Sequence, residues 1–324
     1  MGEMNVLITG SDGFIGSKIT EYLAKYNYNI LALTFNKYNI PDILSKFNNV
    51  KALDVNLNEN ISLNNVLKSY KFDVIIHTAF VTSYKSFYDI NNLHVNVNLI
   101  STYKFIQYAI NHNVNKFIFL SSAGIYYNQN KENINSENRK IRTDTFYFLN
   151  KNNIENLIKY YQLYQLDTKF IILRVGTIFG ENERESTFRR NLSIPIRILR
   201  KVKENELIKL NTLNVFRDYC YINNVSYAVS KIIEYNNLNH LIYNVGSDEV
   251  YGINAIFNIL FKNGIKFKYQ ISKKENCDII LNSSQNRSAL NLTRLRKVVS
   301  DYPLINFENG ILKAYGNLKI HNDL

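Results

Sequence analysis

The sequence predicts an α/β chain whose core is a doubly wound parallel sheet, followed by a smaller C-terminal lobe. Two patterns lead there. Through the first 180 residues short apolar runs alternate with longer amphipathic ones, the signature of strand and helix in turn. The first apolar run ends on Thr9-Gly10-Ser11-Asp12-Gly13-Phe14-Ile15-Gly16 and passes straight into a helical pattern, a strand–turn–helix unit of the kind that holds an anion.

Residues 5–9, 30–34, 50–53, 74–77, 117–121 and 170–174 read as strands. Between them 14–26, 63–70, 93–111 and 147–164 carry apolar residues at helical spacing. Strand and helix in alternation imply parallel strands joined by right-handed crossovers and covered on both faces. After Gly180 the alternation weakens into a basic amphipathic stretch, short strands at 207–210 and 241–245, and late helices. Residues 1–180 are therefore expected to form a nucleotide-binding domain of the Rossmann type, to which part of the later chain returns. Residues 181–324 are expected to form mostly a substrate-binding lobe, packed closely because no Gly, Ser or Pro linker separates the two.

The chain has 324 residues, 46% of them hydrophobic, enough for a substantial core. Its formal charge of +12 admits nucleic acid, a membrane surface or an acidic small molecule as partner. The densest basic stretch, Arg189 to Lys203, also carries Leu192, Ile194, Ile196, Ile198, Leu199 and Val202, so it reads first as a solvated helix face. Neither a nucleic-acid nor a membrane partner is expected, and the positive charge is expected to draw a phosphorylated substrate toward a cleft. Cys220 and Cys277 form no metal-binding or disulfide pattern. Met4 leads directly into a strand without the regions of a signal peptide, and no apolar run reaches the roughly 18 residues of a membrane span. A cytoplasmic location is the expectation.

In the glycine turn Gly10 allows the tight bend, Gly13 lets backbone N–H groups approach a pyrophosphate, and Gly16 lets helix and sheet pack closely. Past the second strand the chain reads Leu33-Thr34-Phe35-Asn36-Lys37. An acidic residue there would hold a ribose hydroxyl, whereas a cation suits a 2′-phosphate. Lys37, with no carboxylate beside it, leans toward NADP, the alternative being an ordinary solvated lysine. Asp54 and Val55, after the third strand, are placed to contact an adenine.

Ser121 and Ser122 end the fifth apolar run, and Tyr147 and Lys151 stand four residues apart, hence on one face of a predicted helix. Moving a hydride to or from a nicotinamide at a sugar carbon needs a group that moves a proton at the same time. A tyrosine ordinarily titrates near pH ~10 and becomes a useful base only beside a cation such as Lys151. Ser122 would hydrogen-bond the same sugar oxygen, and Asn98 would hold a water chain behind Lys151. Chance Tyr-x-x-x-Lys spacing and an ordinary strand end are the competing explanations, and the glycine turn at the start of the chain weighs against both.

Together these segments resemble the NAD-dependent epimerase/dehydratase family of extended short-chain dehydrogenases. The resemblance rests on Thr9 to Gly16, on Asp73-Val74-Ile75-Ile76-His77-Thr78-Ala79, on Ser121-Ser122-Ala123-Gly124-Ile125-Tyr126, and on Tyr147 to Lys151, with Ser122 and Tyr147 25 residues apart. It implies a catalytic set of Ser122, Tyr147 and Lys151, and an NAD(P)(H) site that includes Asp12, Phe14, Ile15, Thr34, Thr78 and Ala79. Asn98, in Asn98-Leu99-Ile100-Ser101-Thr102, matches the family's Asn-Val-x-Gly-Thr. In the second half Leu173 to Gly180, Arg217-Asp218-Tyr219 and Arg287-Ser288-Ala289-Leu290-Asn291 resemble family segments, which implies Thr177, Arg217 and Arg287 at the substrate. Bidentate charge-assisted bonding suits Arg217 to phosphate, a structural pair with Asp218 being the alternative.

The departures narrow the chemistry. Ala123-Gly124 stands where the family's dehydratases carry Asp-Glu, and Ala123 also where its fucose-synthase type carries Cys. Thr177 replaces a phosphate-binding Asn, and Phe80 replaces a small residue. The resemblance implies an oxidoreductase or epimerase working on a nucleotide sugar, by 4-keto reduction or 4-epimerisation. A catalytically silent NAD(P)-binding sensor or scaffold is the reading from another class. Helices 93–111 and 147–164 imply a homodimer by the same resemblance.

Overall fold

A computed structural model describes residues 4–26, 28–35, 46–82, 93–127, 129–164, 166–185 and 191–318. Seven parallel strands form the central sheet: β1 (Met4–Thr9), β2 (Tyr28–Thr34), β3 (Val50–Asp54), β4 (Val74–His77), β5 (Lys116–Ser122), β6 (Lys169–Val175) and β7 (Ile242–Val245). Their order across the sheet is β3-β2-β1-β4-β5-β6-β7. The direction of winding reverses between β1 and β4, where a crevice opens at the carboxyl ends of the strands, the usual binding place in such sheets.

The period-2 side-chain alternation of a strand splits the interior into two cores. Val6 and Ile8 of β1, Ile118 and Leu120 of β5, and Ile171 and Leu173 of β6 face one layer. Leu7, Phe117, Phe119, Phe170 and Ile172 face the other. Because both faces are buried, the strands read in sequence as continuous apolar runs.

The helices are α1 (Phe14–Ala24), α2 (Asn60–Ser69), α3 (Ser101–Asn111), α4 (Phe146–Gln162), α5 (Ile194–Lys203), α6 (Ile222–Glu234) and α7 (Ile253–Lys262), with further helices at Thr293–Arg296 and Phe307–Asn317. The stretch predicted as one helix over 93–111 contains a π-helix, Val95–Ile100, that runs into α3. Helical periodicity does not separate the two, and π-helical turns recur at functional positions. In α5 the residues from Ile194 to Val202 that point inward are buried and Arg200, Lys201 and Lys203 form the last turn, which accounts for most of the basic stretch as an amphipathic helix.

Beyond β6 the chain builds short two-stranded pairings: Thr177–Phe179 with Tyr219–Tyr221, Ile208–Leu210 with Tyr269–Ile271, and Phe216–Arg217 with Tyr251–Gly252. β7 then returns to the edge of the central sheet beside β6. Among the described residues no helix is long and apolar enough to cross a membrane.

Candidate active site

The glycine turn lies at the reversal between β1 and β4. Gly10 has φ +66°, and a Cβ there would stand 2.8 Å from the Cα of Ala79. A Cβ on Gly16 would stand 2.1 Å from the carbonyl oxygen of Gly10 and 2.6 Å from Thr78 Oγ1. Both positions therefore admit glycine alone. Gly13 caps α1 with no side chain, so the first N–H groups of the helix face the crevice. A cleft of about 670 Å³ opens over this turn, and its walls include Asp12, Phe14, Ile15, Thr34, Val55, Thr78, Ala79, Tyr147 and Lys151. A pyrophosphate-bearing dinucleotide fits such a glycine cradle.

Asp54 accepts a hydrogen bond from Thr34 Oγ1 at 2.6 Å, so its carboxylate ties β3 to β2 while Val55 forms the wall. Lys37, on which the lean toward NADP rested, lies outside the described residues. Sequence reasoning missed Arg184, whose guanidinium donates to the backbone oxygen of Asp12 across the mouth of the cleft. The two residues are 172 positions apart, and no local pattern links them.

Ser122 closes β5, and its Oγ accepts from the Gly124 N–H at 3.1 Å. α4 starts immediately before Tyr147, where the Thr145 side chain caps the helix by accepting from Phe148 N. Along α4 Tyr147, Lys151 and Glu155 recur every four residues and so share a face. Lys151 is buried. Its Nζ donates to the Leu120 carbonyl at 2.7 Å, lies 3.5 Å from the centroid of the Phe80 ring and 5.9 Å from that of Tyr147. Burial holds the ammonium well below its ordinary pKa, and the Glu155 carboxylate one turn on opposes that fall.

The Asn98 side chain, expected to hold a water chain behind Lys151, binds the backbone of Val81. Its Oδ1 accepts from Val81 N at 2.8 Å and its Nδ2 donates to Val81 O at 3.1 Å, so the buried amide grips the loop after β4. Beside it His77 is fully buried between Thr9 Oγ1 (2.8 Å to Nδ1) and Thr102 Oγ1 (2.7 Å to Nε2). Thr102 donates its hydroxyl proton to the Asn98 carbonyl, so it accepts from Nε2–H and the imidazole takes the Nε2–H tautomer. Thr9 then donates to Nδ1 while accepting from the N–H groups of Thr78 and Ala79. Burial and the Lys151 charge hold His77 down to about 3.

A second cleft, of about 730 Å³, meets the first at Tyr147. Ser122, Gly124, Thr177, Arg217 and Arg287 line it, together with Asn191 and Arg197, which the sequence did not single out. Thr177 donates its hydroxyl to Asp218 at 2.8 Å. That pairing takes up the Asp218 carboxylate, which burial pushes up to about 6 against the effect of Thr177 and Arg287. Arg217 Nε is buried without a hydrogen-bond partner, and the residue lines this cleft. Burial and the charges of Arg217 and Arg142 hold the Arg287 guanidinium down to about 10, a strain that an anion would relieve.

The family model for the NAD dependent epimerase/dehydratase family matches residues 6–246. The chain belongs to this family. A relative, a putative UDP-glucose 4-epimerase of Methanocaldococcus jannaschii, is 28% identical over 81% of this chain and 83% of its own length. A UDP-glucuronate 4-epimerase of Thermodesulfobacterium geofontis is 24% identical over 95% and 94%. Among solved structures, the ADP-L-glycero-D-manno-heptose-6-epimerase of Helicobacter pylori superimposes with TM-score 0.81 at 21% identity, covering 97% of this chain and 96% of that one. The UDP-glucose 4-epimerase of Thermus thermophilus, solved with NAD, gives 0.76 at 22% identity over 97% and 98%. These likenesses carry the family's Rossmann-like fold over nearly the whole chain.

Proposed function

We propose that this member of the epimerase/dehydratase family is an NAD-dependent 4-epimerase of a nucleotide sugar. The observation that carries the reading is Tyr147, which stands in the wall of both clefts, with the glycine cradle on one side and Ser122, Arg217 and Arg287 on the other. The same arrangement supports a division into a dinucleotide-binding part, residues 1–180 with the returning β7, and a mostly substrate-binding part, residues 181–324.

When bound, the dinucleotide supplies the acceptor and donor of a hydride. The Gly10–Gly16 turn and the start of α1 hold its pyrophosphate. Ser122 orients the sugar hydroxyl toward Tyr147, which takes and returns its proton, and Lys151 favours the tyrosinate by its charge. Arg217 and Arg287 grip the substrate's phosphates, leaving the sugar end to face Tyr147. Epimerisation rather than net reduction, and NAD rather than NADP, is supported by relatives whose names are 4-epimerases and by neighbours solved with NAD.

Denaturing the purified protein and separating any released dinucleotide by chromatography tests the cofactor. The reaction is then followed by proton NMR with UDP-glucose, UDP-glucuronic acid and UDP-N-acetylglucosamine in turn. Conversion of one of them to its 4-epimer without added cofactor is the expected outcome. No epimerisation of these sugars, together with stoichiometric oxidation of NADPH on addition of a nucleotide 4-keto-sugar, would replace the epimerase with a ketoreductase.

A further inference from the structure

The loop after β4 is pinned on both sides of one residue. Ala79 N donates to Thr9 Oγ1 at 3.1 Å, and Val81 is held through both its N–H and its carbonyl by Asn98. Phe80, between them, has little freedom to move. Its ring face lies 3.5 Å from Lys151 Nζ, and its ring meets that of Tyr147 edge-to-face at 5.5 Å. The ammonium is therefore boxed in by the Leu120 carbonyl, the Phe80 ring and, at 4.7 Å, the Phe119 ring.

We propose that Phe80 is a positioning residue, whose ring seats the Lys151 ammonium beside Tyr147 and shields that ammonium from water. Phe80 lines the first cleft together with both of them. An aromatic face attracts a cation while the ring's bulk excludes water from it, so the side chain acts on Lys151 in two opposed ways. Burial is also the main cause of the depression of Lys151. Among the described residues, the other titratable groups facing Lys151 are Glu155 on its own helix, Tyr147, and His77 from β4, with Arg174 of β6 bound to Glu155. None of these contacts is removed by a change at Phe80. The inference rests on the proposed pairing of Lys151 with Tyr147.

The test is a carbon-13 NMR titration of lysine Cε in the full-length protein, with the Lys151 signal assigned by its loss in Lys151→Met. In Phe80→Ala water reaches the ammonium, and the Lys151 midpoint rises by about one pH unit or more, a tenfold change. Phe80→Leu keeps the bulk and loses the attraction of the ring's π face, so its midpoint falls below the wild type by about half a unit to one unit. Phe80→Tyr restores the wild-type curve. Curves for the Ala and Leu variants that superimpose on the wild type would overturn the proposal, and if the Ala variant does not fold, the Leu variant decides alone. NAD binding to the wild type after removal of any bound dinucleotide, measured by calorimetry, is a separate readout: its absence would sink the proposed function without moving the lysine titration.

Discussion

Glu155 and Arg174 form a bidentate ion pair in the interior, with Nε to Oε1 at 3.0 Å and Nη2 to Oε2 at 2.6 Å, the two side chains 0% and 2% exposed. Ser121 adds its hydroxyl to Glu155 Oε1 at 2.6 Å. The pair thus fastens α4, one turn beyond Lys151, to β6 and to the end of β5 where Ser122 begins. Removing one partner leaves a buried charge alone, which costs about 3–5 kcal/mol. Arg174→Met and Glu155→Leu should each lower the unfolding free energy read from urea denaturation by that much, and the double variant should recover part of the loss. Additive losses would mean that the two charges do not act as a pair.

Replacing the proton carrier separates chemistry from folding. Tyr147→Phe should cut turnover by about 10²- to 10⁴-fold, the usual worth of a positioned acid or base, while NAD affinity stays within a few-fold. Lys151→Met should lose activity as fully without losing stability. A lysine whose folded pKa is depressed costs stability at every pH below its ordinary value, so an apolar side chain of similar length removes that cost. A thermal midpoint well below the wild type in Lys151→Met would contradict the burial argument.

How much of this was open to sequence reasoning follows burial and distance. The strands of the sheet were legible because both faces are buried, which leaves Phe117–Leu120 and Phe170–Leu173 as unbroken apolar runs. Ser122, Tyr147 and Lys151 were legible through local spacing and the glycine turn. The Glu155–Arg174 pair and the Arg184 contact with Asp12 were not, because each joins segments by tertiary packing alone. Asn98 was legible as a residue worth noting but not in its partner: Val81, 17 positions earlier, offers a backbone that carries no sequence signal. Phe80 stood out only as an oddity of composition in its motif, and its meaning depends on Lys151 arriving from another helix.

Asn98 satisfies a buried N–H and a buried C=O at once, and leaving such groups unpaired costs about 1–3 kcal/mol each. Asn98→Ala should therefore lower the unfolding free energy by a few kcal/mol. Because Val81 neighbours Phe80, the same variant should also move the Lys151 titration in the direction of Phe80→Ala. Asn98→Asp, which loses the donor and turns a buried carboxylate oxygen toward the Val81 carbonyl, should destabilise at least as much. A stable Asn98→Ala protein with full activity would remove Asn98 from the site altogether.

His77 predicts an acid limit to stability. Its folded pKa of about 3 lies below the ordinary value of 6.5, so the unfolded chain binds the proton first as pH falls. The stability tied to the neutral imidazole is complete above pH 6.5 and is lost progressively as pH falls from there toward 3, by a few kcal/mol on the order of the shift. A protonated ring would also present a second N–H to Thr9 Oγ1, which already receives the N–H groups of Thr78 and Ala79, and the link from β1 to the Phe80 loop would break. Urea midpoints measured between pH 7 and 4 should fall with decreasing pH in the wild type. His77→Gln, which has no charge to gain, should start lower and fall less steeply. Parallel curves for the two proteins would place the acid sensitivity in other residues.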